Sequence, residues 1–499
     1  MPESAYAKLE TRYRRLGLLG EASAILQWDS AAMMPDGGAV ARGEQLAELS
    51  AVSHGILNSS ETSDLIAGAL EQTNLDSWQS ANRDLIHRQW LRATAIPEDL
   101  VVARSKACVA SETAWRQARA DDNFAHVLAL AKTTLELVQE AGTAQAEKLG
   151  LGLYDTLLDE FDPGQRSKDI DVIFNDLGDW LPGFLDNVLN HQSARGYGQL
   201  PNGPFPIETQ KSAGLKFMKA LGFEFDHGRL DISLHPFCGG TPDDVRITTR
   251  YNEDDFSSAL MGVVHETGHA LYERGLPENW RRQPVGEALG MSIHESQSLL
   301  IEMQVCRSRQ FLEYAAPVLK ASFGGEGPAW GAENLHRLYT RVEPGFIRVD
   351  ADEVTYPAHI ILRYKLERLL IDGDMQLEDL PGEWNKGMQE LLGITPPTDR
   401  EGCLQDIHWY GGAWGYFPTY SLGAMTAAQF FQAAKTSTPE IVIEIQKGNF
   451  APLLKWLRAN IHTKGSHIPA RQLITDVTGQ ALNAEVFKSH LQKRYLEQD

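Results

Sequence analysis

Cationic side chains, cysteines and long apolar runs are what this 499-residue chain has least of. Lysine and arginine number 46 against 67 aspartates and glutamates, a formal net charge of −21. That excess of anions disfavours nucleic acid and anionic membranes as partners. No stretch approaches the roughly 20 uncharged apolar residues that a membrane-spanning helix needs. The first residues, Met1 to Lys8, lack a basic segment running into an apolar one, so no secretory signal is expected. Only Cys108, Cys238, Cys306 and Cys403 carry thiols, and no two form a Cys-x-x-Cys pair. That pattern predicts reduced thiols in a cytoplasmic protein, with no disulfide framework and no cysteine metal site. Cys238 and Cys403 read as small packing residues. Repeats and low-complexity tracts are missing as well.

What is present is helical periodicity and, at 42% hydrophobic residues, ample material for a large core. Tyr6, Leu9, Tyr13 and Leu16 recur at three and four, the pattern continues from Ala22 to Trp28, and Met34 to Gly38 reads as a turn. Helices are predicted over Arg42 to His54, Ala81 to Ala95, Glu98 to Ala120 and Phe124 to Leu149. Tyr154 to Phe161 follows, then a helical pair with Val172, Ile173, Leu177, Trp180, Leu181, Phe184 and Leu185 inward. The Gly- and Pro-rich Gly198 to Pro206 is the best linker. Arg229 to His235 and Val245 to Tyr251 alternate apolar and polar across a Cys238-Gly239-Gly240-Thr241-Pro242 break, which predicts a small antiparallel unit. Its edge offers a place for an extended peptide. An Asp244–Arg246 ion pair is the structural alternative there. Thr438 to Asp499 returns to amphipathic helices with no assignable chemistry.

The chemistry gathers around His265-Glu266-Thr267-Gly268-His269, inside a run whose Phe256, Leu260, Val263, Val264 and Leu271 form an apolar face closed by Gly275 and Pro277. Residues four apart on a helix share a face, so the two imidazoles can grip one metal ion. Glu266, next to the first histidine, can take a proton from a water on the open side. A third ligand is needed. Downstream, Ala288 to Glu302 reads as another helix, with His294-Glu295-Ser296-Gln297 among Leu289, Ile293, Leu299 and Leu300. A carboxylate there completes a set of two histidines and one glutamate.

These two segments resemble those of the carboxypeptidase Taq family of zinc metallocarboxypeptidases, which pairs His-Glu-x-x-His with a following His-Glu-Ser-Gln. Further matches come in order: His235-Pro236-Phe237, Asp244-Val245-Arg246-Ile247-Thr248, Ile347-Arg348-Val349-Asp350-Ala351-Asp352, and Gly402-Cys403-Leu404-Gln405-Asp406-Ile407-His408-Trp409. The resemblance implies one Zn2+ per chain, with Co2+ as a possible substitute, on His265, His269 and Glu295. It further implies a homodimer of broad specificity and a mainly α, neurolysin- and angiotensin-converting-enzyme-like zincin fold. That fold has a deep substrate cleft, with the small antiparallel sheet beside the zinc helices. A single unit over 1–499 is expected: 1–200 as wall and cover of the cleft, 201–435 as catalytic core and 436–499 as terminal helices.

Two other stretches bear on substrate. Arg348 lies between apolar residues and needs a partner, either Asp350 or Asp352 structurally or the free carboxylate of a peptide, which a guanidinium binds bidentately. The run from Gln405 to Tyr420 mixes glycines, aromatics and hydrogen-bonding groups, as in a loop folded over a ligand, with a helix from about Pro418. Tyr420, Tyr416 and His408 are candidate oxyanion donors. The loop also resembles the His- and Tyr-rich loop of thimet oligopeptidase relatives, which favours Tyr420 and His408. The expected protein is therefore a carboxypeptidase. Glu266, Tyr420, His235 and His408 are the catalytic candidates, and Arg348, Arg246, Tyr416, Gln405 and Asp406 the peptide-binding ones. An endo-acting oligopeptidase, a hydrolase of non-peptide amides and a helical scaffold with a structural metal remain open on sequence alone.

Overall fold

The computed structural model describes residues 3–497, so Met1 and Pro2 of the N-terminal reading lie outside it. The first half is helix upon helix: α1 (Ala5–Ala32), α2 (Ala39–Leu57), α3 (Ser60–Leu70), α4 (Ser77–Thr94), α5 (Glu98–Ala120), α6 (Ala125–Leu149), α7 (Leu153–Phe161) and α8 (Ser167–Arg195). Local chemistry sets their ends. Ser4 and Ser59 cap α1 and α3, Asp76 and Gln79 close a capping box on α4, and Gly150 ends α6 at φ +66°. Two expectations change here. α3 is absent from the sequence reading. The pair predicted across 172–185 is a single 29-residue helix that runs through Pro182, and Val172 faces solvent. Pro182 is accommodated without a break between the predicted halves.

After α9 (Ile207–Leu221) come β1 (Gly228–Ile232), β2 (Cys238–Thr241) and β3 (Asp244–Thr249). The antiparallel pair expected for this region is not what forms. The order is β1-β3-β2, with β1 parallel to β3 and β2 antiparallel to it, a mixed sheet. The Gly239-Gly240 stretch, read as a turn, is itself strand. The chain crosses over between Ser233 and Phe237 and then hairpins back along β3. Thr248 pins that crossover: its hydroxyl lies 2.7 Å from Ser233 Oγ and accepts from the Phe237 amide at 3.1 Å. Only glycine fits at 240, where φ is +87° and a Cβ would stand 2.1 Å from the Asp244 carbonyl. Between Gly198 and Pro206 the chain is no loose linker either, since Gly198 abuts the backbone of 337–338 and Phe205 is buried.

The second half holds α10 (Phe256–Gly275), α11 (Gly290–Leu299), α12 (Arg309–Phe323), α13 (Ala332–Tyr339), α14 (Tyr356–Asp372), α15 (Leu380–Leu392) and α16 (Pro418–Ser437). The tail adds α17 (Glu440–Gln446), α18 (Ala451–Asn460), α19 (Ala470–Thr478) and α20 (Ala484–Gln492). α11 continues into a π-helical turn, Leu300–Cys306. Two large cores result. One joins α5–α8 to α14–α16 and α20, and the other joins α9–α13 to α16–α19. α16 belongs to both, with Leu422 and Met425 in the first and Ala427 and Phe430 in the second, as befits a helix apolar on nearly every side. No helix among the described residues is long and apolar enough to cross a membrane. All four cysteines are unpaired.

α10 and α11 touch at a glycine. A Cβ at Gly268 would stand 2.6 Å from both the Gln297 carbonyl oxygen and the Ser298 Cα. Both obstacles are backbone and cannot swing away. Gly268→Ala is therefore expected to cost about 1–3 kcal/mol, the usual range for overpacking. The check is a lowered urea midpoint at unchanged slope; a midpoint equal to that of the parent protein would contradict this close contact.

Candidate metal centre

Asp255 starts α10 by accepting the amide of Ser257 at 2.8 Å. From there the helix buries Phe256, Leu260, Val263, Val264 and Leu271, as the apolar face required. This burial turns His265 and His269 toward α11, which brings up Glu295. One ligand atom from each of the three lies within 4.8 Å of the others, and His269 Nε2 is 3.5 Å from Glu295 Oε2. Two imidazoles and a carboxylate at that spacing suit a divalent cation such as Zn2+. α16 closes in from another side: a Cβ at Gly423 would stand 2.8 Å from Glu295 Cβ.

The outer nitrogens are engaged too. His265 Nδ1 lies 2.9 Å from Glu302 Oε2, and Arg307 Nη2 donates to the other oxygen of Glu302 at 2.6 Å. His269 Nδ1 is 2.6 Å from His294 Nδ1, and His294 Nε2 is 2.8 Å from Glu273 Oε1. For the neutral imidazoles that metal binding requires, the simplest proton assignment places N–H on Nδ1 of both His265 and His269. It leaves each Nε2 lone pair for a metal.

Electrostatics at the centre are acidic. Burial disfavours a charge on His265, yet Glu302, Glu295 and Glu266 together raise its pKa to about 10. His269 falls to about 4 through burial and the neighbouring His294. Glu266, only 7% exposed, is pushed up to about 7, chiefly by burial and then against the pull of His265. Carboxylates held this close, with little water, form a site that a cation stabilises.

A second cluster adjoins the first. Arg348 is 6% exposed and donates from Nε to Asp406 Oδ1 at 2.9 Å and from Nη1 to Tyr356 Oη at 3.0 Å. Arg363, fully buried, holds the other oxygen of Asp406 at 2.7 Å. Gln405 accepts the Arg348 amide at 2.8 Å. The structural partner of Arg348 is thus Asp406 and not Asp350 or Asp352; Asp352 instead accepts the amides of Glu343, Val354 and Thr355. The ring of Tyr420 lies 5.0 Å from the Arg348 guanidinium, and its hydroxyl is 3.3 Å from His408 Nε2. Burial raises the Tyr420 phenol to about 12 despite Arg348, and Glu295 adds to the rise, so it stays a proton donor. Tyr416 packs on both His408 and Tyr420. Burial lowers His408 to about 4.

Two predicted residues lie apart from these clusters. His235 is exposed, and no hydrogen bond among the described residues ties its ring to either. Arg246 pairs with Asp244 at 2.6 Å and lies over Trp28. Sequence reading passed over Glu302, Arg307, Glu273, Tyr356 and Arg363. A signal existed for two of them: Glu302 and Arg363 are charges set inside the apolar runs Leu299–Met303 and Ile360–Tyr364. Glu302→Gln, which removes the charge and leaves one acceptor oxygen to face the two donors His265 Nδ1 and Arg307 Nη2, is expected to weaken Zn2+ binding about 10-fold or more. Competition with a chromophoric chelator measures it, and an unchanged dissociation constant would refute a role for that carboxylate.

Comparisons with known proteins identify the family. A family model described as Carboxypeptidase Taq (M32) metallopeptidase matches residues 8–495. Thermostable carboxypeptidase 1 of Thermus thermophilus is 37% identical across 99% of both chains. Among solved structures, Trypanosoma cruzi metallocarboxypeptidase 1 superposes with a TM-score of 0.97 at 39% identity, covering 99% of each chain. The M32 carboxypeptidase from Deinococcus radiodurans gives 0.93 at 31% identity, with the same coverage. The chain belongs to the carboxypeptidase Taq (M32) metallopeptidase family and is a metallocarboxypeptidase.

Proposed function

We propose that this enzyme removes single residues from the C-termini of peptides bound in a deep cleft of the zincin, angiotensin-converting-enzyme-like type. One Zn2+ per chain, or Co2+ in its place, is assigned to His265, His269 and Glu295. When bound, such an ion supplies Lewis acidity, which acidifies water and polarises a peptide carbonyl. Glu266, buried and raised to about 7, takes the proton from the attacking water and returns it to the leaving amine. Tyr420, still protonated and oriented by His408, donates to the developing oxyanion. Tyr416 packs behind that pair.

The observation that carries exopeptidase specificity is a buried imbalance of charge. Arg348 and Arg363 both pair with one carboxylate, Asp406, and the Arg348 guanidinium lies against the rings of Tyr420 and Tyr356 with room in its charge balance for an anion. A peptide's terminal carboxylate supplies the missing anion, whereas a continuing chain offers none. Gln405 and Asp406 hold Arg348 in place for it. His235 and Arg246 are assigned to the sheet side of the peptide path. Broad specificity, a homodimer and a cytoplasmic setting complete the reading; the unpaired thiols suit a reducing compartment.

Paired peptides with a free or amidated C-terminus test the anchor. Amidation is expected to abolish most turnover by the parent enzyme, and Arg348→Ala to raise KM for the free acid about 10-fold or more, the scale of one lost charge-assisted contact. Equal cleavage of both peptides would instead indicate an endo-acting oligopeptidase. Glu266→Gln should keep its metal yet lose about 100- to 10,000-fold in kcat, the range for a missing general base. Retained turnover with full metal content would remove Glu266 from the mechanism.

A further inference from the structure

Glu353, 4% exposed, is not used by the proposed reaction, yet it accepts four hydrogen bonds. Gln304 Nε2 and His490 Nε2 lie 3.1 and 2.8 Å from one oxygen, and Arg494 Nη1 and Tyr495 Oη 2.9 and 3.0 Å from the other. His490 stands on α20, and Arg494 and Tyr495 on the π-helical turn that follows it, Lys493–Glu497. The far end of the chain is therefore tied into the interior.

Arg494 does more than neutralise Glu353. Its guanidinium also donates to the carbonyl oxygens of Met303 and Gln304, the latter at 3.3 Å. Those two residues directly follow Glu302 in the π-helical turn Leu300–Cys306. The last carbonyls of a helical segment have no onward partner in the segment, and a cationic side chain satisfies them. Glu302 is thus held at both ends: its backbone neighbours by Arg494, its carboxylate by Arg307. The Nδ1 of His265 rests on that carboxylate.

We propose that Arg494 is a positioning residue for the metal centre, acting through the π-helical turn and Glu302 on the orientation of His265. The proposal rests on the metal reading of His265, His269 and Glu295. A purely structural clasp would hold the tail without affecting the metal, whereas a positioning clasp affects both. Ligand orientation from outside the coordination sphere commonly governs metal affinity by 10- to 100-fold. Acting one residue further out, Arg494 is expected at the lower end of that range.

The experiment titrates Zn2+ into full-length, metal-stripped protein against a chromophoric chelator. Arg494→Gln is expected to raise the Zn2+ dissociation constant about tenfold. It is also expected to speed amide hydrogen exchange across 300–306 before metal is added. Leu491→Ala, a fully buried position on α20 just before that turn, is the comparison; it should lower the melting temperature without moving either quantity. Arg494→Lys keeps the charge and one donor, should fall between, and serves alone if the Gln variant does not fold. Parent-like affinity in the Arg494 variants, or an equal loss in Leu491→Ala, overturns the proposal. Failure of the parent protein itself to bind Zn2+ stoichiometrically overturns the metal reading and this one with it.

Discussion

Close helix contact at Gly268, against backbone, and at Gly423, against the base of the Glu295 side chain, is the constraint on which the site depends. A glutamate side chain has a fixed reach, so Glu295 meets the imidazoles on α10 only if α11 comes within a few ångströms of that helix. A side chain at 268 would collide with the main chain of Gln297 and Ser298. On the opposite side, a side chain at 423 would collide with Glu295 itself. Tyr420 stands three residues before Gly423 and so shares its helical face. The contact that seats Glu295 thus also sets the face from which Tyr420 projects. Positions of this kind tolerate no adjustment, because both partners in each contact belong to packed helices.

Two buried charge imbalances of opposite sign sit beside this contact. Glu266, Glu295 and Glu302 gather around His265, whose pKa they raise against burial, and Arg307 pairs with Glu302 among them. Across from them, Arg348 and Arg363 face a single Asp406. Buried charge without a partner is unfavourable, so each cluster gains from an added ion of the opposite sign. A divalent cation suits the first and a carboxylate the second.

Much of this was legible because its signals are local. His265 and His269 announce themselves by helical spacing, α5 starts and stops at the predicted residues, and α16 begins at Pro418 as expected. The sheet was misread since register and direction depend on a crossover that Thr248 fixes through side-chain bonds, which no alternation pattern encodes. Arg348 shows the general limit. Its need for a partner is visible in the sequence, but the partner stands 58 residues away, while two nearer aspartates look equally suitable. Glu302 and Arg363 carried a signal, a charge inside an apolar run, without indicating what they would hold.

Position between two cores explains why no segment of the chain is sufficient for the chemistry. The ligand helices α10 and α11 pack in one core, the Arg348–Asp406 cluster is walled by the other, and α16 runs through both. The first half reaches the ligand helix as well: Asp162, fully buried after α7, lies so near Gly290 that a Cβ there would stand 2.5 Å from its Oδ1. Gly290 has φ +66°, and α11 begins at that residue. From the other end of the chain, His462 packs where a Cβ on Gly275 would be and lies 3.0 Å from Gln297 Oε1, touching both ligand helices. Segments from residue 162 to residue 462 converge on α10 and α11. Holding His265, His269 and Glu295 within reach of one another requires that each of their helices be held on several sides, and the chain supplies those sides from parts far from the cluster.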